Sequence, residues 1–345
     1  MRKILTALSG GVDSAVTAGL LRELGYEAGG ATMLLRDGGE AEAAAAAAAA
    51  RRLGLPFHLF SWKEAFRRCV IEPFALGYQN GETPNPCIFC NQALKFGKFL
   101  EEALALGYDG MATGHYARIT YDKGSGRYLL RSARDPAKDQ TYMLAGLNQF
   151  QLGHTVLPLG EYTKDEVRQR AADYGLTEQQ GKKDSQDICF VPDGDYLAYL
   201  TSCGLSPQPG SFLDANGSVI APHCGYEGYT IGQRRGLGLA AGRRVYVLAK
   251  PRPDVVVGDE SGLYAGTVHV AGMNWIPFPD PGRPFRAQAK LRYTVRTAPC
   301  TVVPCGDGAE LRFDEPQRAV TPGQAAVLYD GEVVLGGGVI VGSDK

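Results

Sequence analysis

Along the first third of the chain, apolar runs of strand length alternate with stretches of helical period. Lys3–Leu8 is a short apolar run, Ser14–Leu24 has helical spacing and stops at Gly25, and Ala28–Leu35 is apolar again. Glu40–Leu53, which carries an alanine run, reads as a helix stopped by Gly54 and Pro56. Phe57–Phe60 is a third strand, Asn91–Leu106 a helix closed by Gly107, and Gly110–Thr113 lies where a fourth strand ends. Strands alternating in this way with helices predict an α/β fold built on a doubly wound parallel sheet.

The pattern changes after about residue 115. Arg118–Tyr121 and Tyr128–Ser132 flank the polar turn at 122–126 and predict a β-hairpin. Gln140–Leu147 and Thr163–Tyr174 have helical spacing, the second with Thr163 and Glu166 placed as a capping box. Farther on, short strand candidates are separated by turn residues: Val245–Leu248, Val255–Val257, Thr267–Val270, Ala287–Tyr293, Ala309–Phe313, Ala325–Leu328 and Val333–Val341. Such runs predict small barrels or sandwiches. The expected division is an α/β unit at 1–200, a central β-rich unit at 201–270 and a β-barrel at 271–345.

Composition narrows the class. Apolar residues make up 44 % and charged residues 21 % of 345, a soluble globular balance. No stretch reaches the roughly eighteen apolar residues of a membrane span, and no leader-like segment precedes the first strand. The expected location is cytoplasmic. The net charge of −1 excludes a general polycation. Residues 230–300 nevertheless hold eleven Lys/Arg against four acids. That local excess fits either a phosphate-binding footprint or a dispersed, solvated surface.

Ser9-Gly10-Gly11-Val12-Asp13-Ser14 joins the first strand to the first helix. Glycines there let backbone N–H groups approach phosphate oxygens, and the helix N-terminus favours anions. Ser9 and Ser14 can donate hydroxyl bonds, and Asp13 can hold Mg²⁺ beside the phosphates. The Gly-Lys-Ser/Thr ending of a Walker loop is missing. The motif resembles the PP-loop of the ATP pyrophosphatases, which split ATP into AMP and pyrophosphate while activating a substrate as its adenylate. That resemblance implies an adenine nucleotide alpha-hydrolase-like domain. Leu8 and Ala15 would flank the ATP loop, with Met33 and Gly114 contacting adenosine.

Cysteine supplies the second chemical signal. Of the eight, only Cys87 and Cys90 are closely spaced, in Thr83-Pro84-Asn85-Pro86-Cys87-Ile88-Phe89-Cys90-Asn91. This segment leads into the helix expected from Asn91, where a helix N-terminus would lower a thiol pKa. Cys189 follows Lys182 and Lys183 in a second polar segment. Cys69, Cys203, Cys224, Cys300 and Cys305 read as small buried side chains. Half a zinc site is the bland reading of Cys87 and Cys90, but a second close pair is missing, although Cys189 plus a histidine remains open on spacing. A thioredoxin-like redox pair would leave the nucleotide loop unexplained.

SGGVDS, TPNPCIFCN, ATGHYAR, KDQTYML, KKDSQDICF, TIGQRRGLG and TPGQ occur in that order. This set closely resembles the tRNA-specific 2-thiouridylase family nearly end to end. The resemblance implies that ATP adenylates the C2 oxygen of the wobble uridine, with Cys90 as nucleophile and Cys189 as persulfide carrier. It makes Asn85, Pro86 and Cys87 contacts of the flipped target base. It also makes His115, Lys138, Asp139, Gln140, Arg292, Tyr293 and Gln324 tRNA contacts. Implied partners are tRNA and either a sulfur-relay protein or sulfide. Many members carry Asp at the position of Cys87, so the acid/base group is open here. Three thiols, Cys87, Cys90 and Cys189, could instead ligate a 4Fe–4S cluster that activates sulfide. An amide-forming PP-loop ligase and a nonenzymatic RNA-binding protein are the competing readings.

Overall fold

The computed structural model describes residues 1–176, 188–191, 194–240 and 242–344. The Lys182 to Asp187 stretch before Cys189 therefore lies outside the described residues. Strands β1 (Lys3–Ala7), β2 (Glu27–Leu34), β3 (Phe57–Ser61), β4 (Gly110–Ala112) and β7 (Thr155–Val156) form one sheet in the order β3-β2-β1-β4-β7. Every pairing in it is parallel, as the alternation of strand and helix predicts. Helices α1 (Val12–Glu23) and α2 (Glu40–Arg52) supply the first two crossovers.

The strand order reverses between β1 and β4. Crossovers on opposite sides of such a point leave a crevice at the carboxyl ends of the strands, where ligands bind. The chain leaves β1 into Leu8 and Ser9 at that point, and leaves β4 into Thr113 and Gly114.

β8 (Gly210–Leu213), β9 (Val219–His223), β10 (Tyr246–Ala249) and β11 (Val255–Gly258) form a second sheet. β12 (Tyr264–Trp275), β13 (Phe285–Lys290), β14 (Ala298–Cys305), β15 (Gly308–Arg318), β16 (Ala325–Asp330) and β17 (Val333–Asp344) form the third. Pairing of β12 with β17 closes those six into a barrel filled by Val268, Leu311, Ala326 and Ile340. β12 runs across the expected division at 270. The hairpin of β5 (Arg118–Asp122) and β6 (Arg127–Arg131) forms as expected and joins the barrel edge through Arg131 and Val333.

The α/β unit and the barrel share one core. Leu5, Phe96, Phe99 and Met111 pack in the same cluster as barrel residues Ile276, Val327, Tyr329 and Val334. Among the described residues no helix is long and apolar enough to cross a membrane.

Candidate active site

The nucleotide loop is built by steric necessity. Gly10 has φ +75°, and a Cβ there would sit 2.6 Å from the Glu42 carbonyl oxygen, so only glycine fits. Gly11 caps α1 without a side-chain hydrogen bond. The first amides of the helix thus carry no side-chain oxygen that an incoming anion would have to displace. Ser9 N donates to Ser14 Oγ at 3.0 Å, and Ser14 Oγ donates to the Gly11 carbonyl at 3.0 Å. Leu8 and Ala15 are buried on either side of the loop. Met33 lies near the end of β2. A Cβ on Gly114 would come within 2.9 Å of Ser14 N, so the chain leaving β4 presses directly on the first turn of α1.

Asp13 is not an open metal ligand. Lys164 Nζ donates to both of its carboxylate oxygens at 2.9 Å, and Tyr116 OH donates to Oδ1 at 3.0 Å. An Mg²⁺ ion suits the oxygen donors of Asp13, Ser9 and Ser14 in kind, but reaching the Asp13 carboxylate requires the ammonium group to shift. Lys164 does not stand out in the sequence, and Tyr116 lies in ATGHYAR without a role read from it. Both reach the loop from more than a hundred residues away.

The thiol segment departs from expectation in register. Its helix begins at Pro86, not Asn91: Asn85 is the N-cap, and its side-chain oxygen accepts from Cys87 N at 3.1 Å. Proline at the first helical position needs no donor, which sets the start. The helix runs over Pro86–Cys90, widens to π spacing over Asn91–Lys98, and returns to α over Phe99–Ala105. Cys87 is therefore exposed in the first turn, while Cys90 lies a turn inside, packed in the cluster of Phe66, Phe74 and Phe190.

The expected lowering of the helix thiol pKa is corrected for Cys90. Burial pushes its thiol up to about 11, the positive charge of Lys95 pulls the other way, and the Cys189 and Cys87 thiols add to the rise. Both thiols thus act on Cys90 through their charge. Cys189 is exposed, anchored by Phe190, whose ring meets Phe66 and Phe74 edge-on at 5.5 Å. All eight cysteines are described and are thiols. Of the five read as buried, only Cys300 is; Cys69 is half-buried, and Cys203, Cys224 and Cys305 are exposed.

Among the described residues no three Cys, His, Asp or Glu side chains are gathered to hold a metal ion. Cys87, Cys90 and Cys189 thus do not form a cluster ligand set in this arrangement.

His115 links loop and thiols. It follows Gly114, its Nδ1 lies 2.7 Å from Thr113 Oγ1, and its ring packs 5.6 Å from Phe96 on the thiol helix. Burial holds its imidazole well below the ordinary pKa, and Lys95 lowers it further. Lys95 therefore acts on both His115 and Cys90.

A profile described as the tRNA methyl transferase HUP domain matches residues 2–193. The tRNA methyl transferase PRC-barrel domain matches 200–259, and the aminomethyltransferase beta-barrel domain matches 266–340. The tRNA-specific 2-thiouridylase MnmA of Moorella thermoacetica is 47 % identical over 97 % of this chain and 98 % of its own. Its namesake in Carboxydothermus hydrogenoformans is 46 % identical over 98 % of this chain and 97 % of its own. The chain belongs to the tRNA-specific 2-thiouridylase family. Among solved structures, the U34-tRNA thiolase NcsA of Methanococcus maripaludis shares 17 % identity at TM-score 0.35, covering 59 % of this chain and 65 % of that one. That likeness is too slight to carry an argument.

The tRNA contacts expected of a 2-thiouridylase fall into two groups. Asp139, Gln140 and Arg292 are engaged inside the protein. Asp139 accepts from Ala133 N at 2.7 Å and Thr141 Oγ1 at 2.5 Å, and Gln140 Oε1 accepts from Tyr116 N at 3.0 Å. Arg292 donates to the carbonyls of Ile231 and Ala319 and to Thr321 Oγ1, tying the central unit to the barrel; burial pulls its pKa down. Gln324 Nε2 donates to the Thr83 carbonyl at 2.5 Å, bracing the thiol segment from the barrel. Tyr293 is exposed, with its OH donating to the Asp139 carbonyl at 3.3 Å, and Lys138 is half-buried beside it in sequence. Thr83, Arg292, Tyr293 and Gln324 line a cavity of about 190 Å³ where the three units meet.

Proposed function

We propose that this chain converts uridine at the wobble position of tRNA to 2-thiouridine at the expense of ATP. ATP bound at Leu8–Ala15, with adenosine against Met33 and Gly114, adenylates the C2 oxygen, and pyrophosphate leaves. The terminal sulfur of a persulfide on Cys189 then attacks C2, and AMP departs with the oxygen. Cys90 attacks the remaining sulfur of Cys189, the persulfide S–S bond breaks, and a Cys90–Cys189 disulfide is left. A dithiol returns the pair to thiols for the next turnover. The outer sulfur of the persulfide comes as sulfane sulfur from the persulfide of a relay protein, which is left as a thiol, or from sulfide that opens the Cys90–Cys189 disulfide and frees the Cys90 thiol.

The observation that carries this reading is the contact chain from loop to thiols. Gly114 abuts Ser14, His115 packs on the thiol helix, and Lys95 acts on His115 and Cys90, whose pKa also responds to Cys189. An adenylate formed at the loop and a sulfur held at Cys189 then need only a short approach. Asn85, Pro86 and Cys87 would meet the flipped base in front of them, since C2 lies on the pairing edge and must leave the stack. Lys138, Tyr293 and the basic residues of 230–300 other than Arg292 would meet phosphates. An amide-forming ligase would leave these thiols without a task.

Incubation of the protein with unmodified tRNA, ATP and sulfide, followed by nucleoside mass spectrometry, tests the reading. 2-Thiouridine is expected, with loss of product in Cys90→Ala and Cys189→Ala. Its absence under both aerobic and anaerobic conditions would sink the proposal.

A further inference from the structure

We infer that Lys164 is a ligand of the ATP phosphates, delivered to the nucleotide loop by a helix outside the PP-loop motif. The inference rests on the ATP-binding reading above.

Lys164 occupies the first position of the Lys164–Asp173 helix, whose N-cap Thr163 and Glu166 form a complete capping box. A cation there faces the positive end of its own helix dipole, an unfavourable place. Its side chain is only 12 % exposed, so hydration offsets little of that cost. This helix packs on α1 through Val167 and Ala171 against Val12, Ala15 and Val16. Two helix N-termini and an ammonium group therefore meet at one spot, the mouth of an anion-binding loop. Such convergence of positive potential suits a polyphosphate.

Asp13 is the counterweight in this structure. Its carboxylate takes Lys164 Nζ at 2.9 Å on each oxygen. Standing bare beside the loop, that carboxylate would repel the phosphates. Lys164 is thus needed on electrostatic grounds whenever ATP enters. Tyr116 OH, at 3.0 Å from Asp13 Oδ1, holds the carboxylate while the ammonium turns to the phosphates. A mere neutraliser of Asp13 and a true phosphate ligand make different predictions once Asp13 itself is neutral.

Binding of ATP and AMP by calorimetry to wild type, Lys164→Met, Lys164→Arg and Lys164→Met/Asp13→Asn separates them. The expected result is a loss of about 30-fold or more in ATP affinity for Lys164→Met, and less than about threefold for AMP. Lys164→Arg, which keeps the charge and confirms that the helix still folds, should retain most of the affinity. Asp13→Asn should not restore ATP binding to Lys164→Met. Restoration in the double variant, equal losses for ATP and AMP, or unchanged ATP affinity in Lys164→Met would each overturn the inference alone. Failure of the wild type to bind ATP would overturn the ATP reading and this inference together.

Discussion

Cys87 and Cys90 are three residues apart, yet their surroundings give them different chemistry. Cys87 is exposed in the first helical turn, whereas Cys90 packs among aromatic rings and is pushed to about 11. Below that value the thiolate fraction of Cys90 grows about tenfold per pH unit. Alkylation of Cys90 by iodoacetamide should therefore lag that of Cys87 and Cys189 near neutral pH and climb steeply toward about pH 10. Peptide mass spectrometry reads each site. Lys95 favours the thiolate, so Lys95→Met should raise the Cys90 pKa further and shift the alkylation curve to higher pH. An unshifted curve would remove Lys95 from this role. The motif residues were legible in the sequence because their chemistry depends on residue type and local spacing. The bonds of Tyr116 and Lys164 to Asp13 were not, because Asp13 lies 103 and 151 residues away from them.

Elements were legible where local periodicity matched their final environment. β1, β2 and the helices between the early strands fall close to their expected spans. Gln140–Leu147 does not: its helical spacing yields only a single 3-10 turn at Thr141–Met143. Asp139 accepts from Thr141, and Asn274 of the barrel donates to the carbonyls of Ala145 and Leu147, so bonds to other parts of the fold hold the segment on both sides of that turn. Tyr142 in that turn is buried, with its OH donating to the Ala325 carbonyl at 2.9 Å. Tyr142→Phe strands that carbonyl and should cost about 1–2 kcal/mol in urea unfolding. The π spacing over Asn91–Lys98 was equally hidden. In an α-helix residues five apart point roughly 140° away from each other, whereas π spacing brings Lys95 back over Cys90. β14 is not legible in the sequence, because Pro299 and Pro304 interrupt its pattern.

At the scale of the molecule, the barrel braces the chemistry. The turn Thr321–Gln324 closes on the thiol segment, with Thr83 N donating to the Pro322 carbonyl at 2.9 Å and Gln324 donating back to Thr83. Gly323 has φ +89°, and a Cβ there would stand 2.8 Å from Glu82 Cβ and 2.9 Å from Thr83 N. Gly323→Ala should displace the segment that carries Cys87 and Cys90. An about 10- to 100-fold loss of thiolation is expected, the usual result of a small misplacement of reacting groups. ATP affinity should stay unchanged, since the nucleotide loop lies on other elements. Equal loss of both would point to general unfolding.

The amino-acid order by itself determined the parallel α/β unit, the barrel, the nucleotide loop and the cysteines of interest. Each follows from interactions within a few residues: side-chain period, glycine conformation, capping and thiol chemistry. Only the tertiary structure decided which thiol is buried, which cation faces Asp13, and which expected RNA contacts are already bonded within the protein. Desolvation and charge pairing depend on distance in space, and the partners involved are separated by most of the chain.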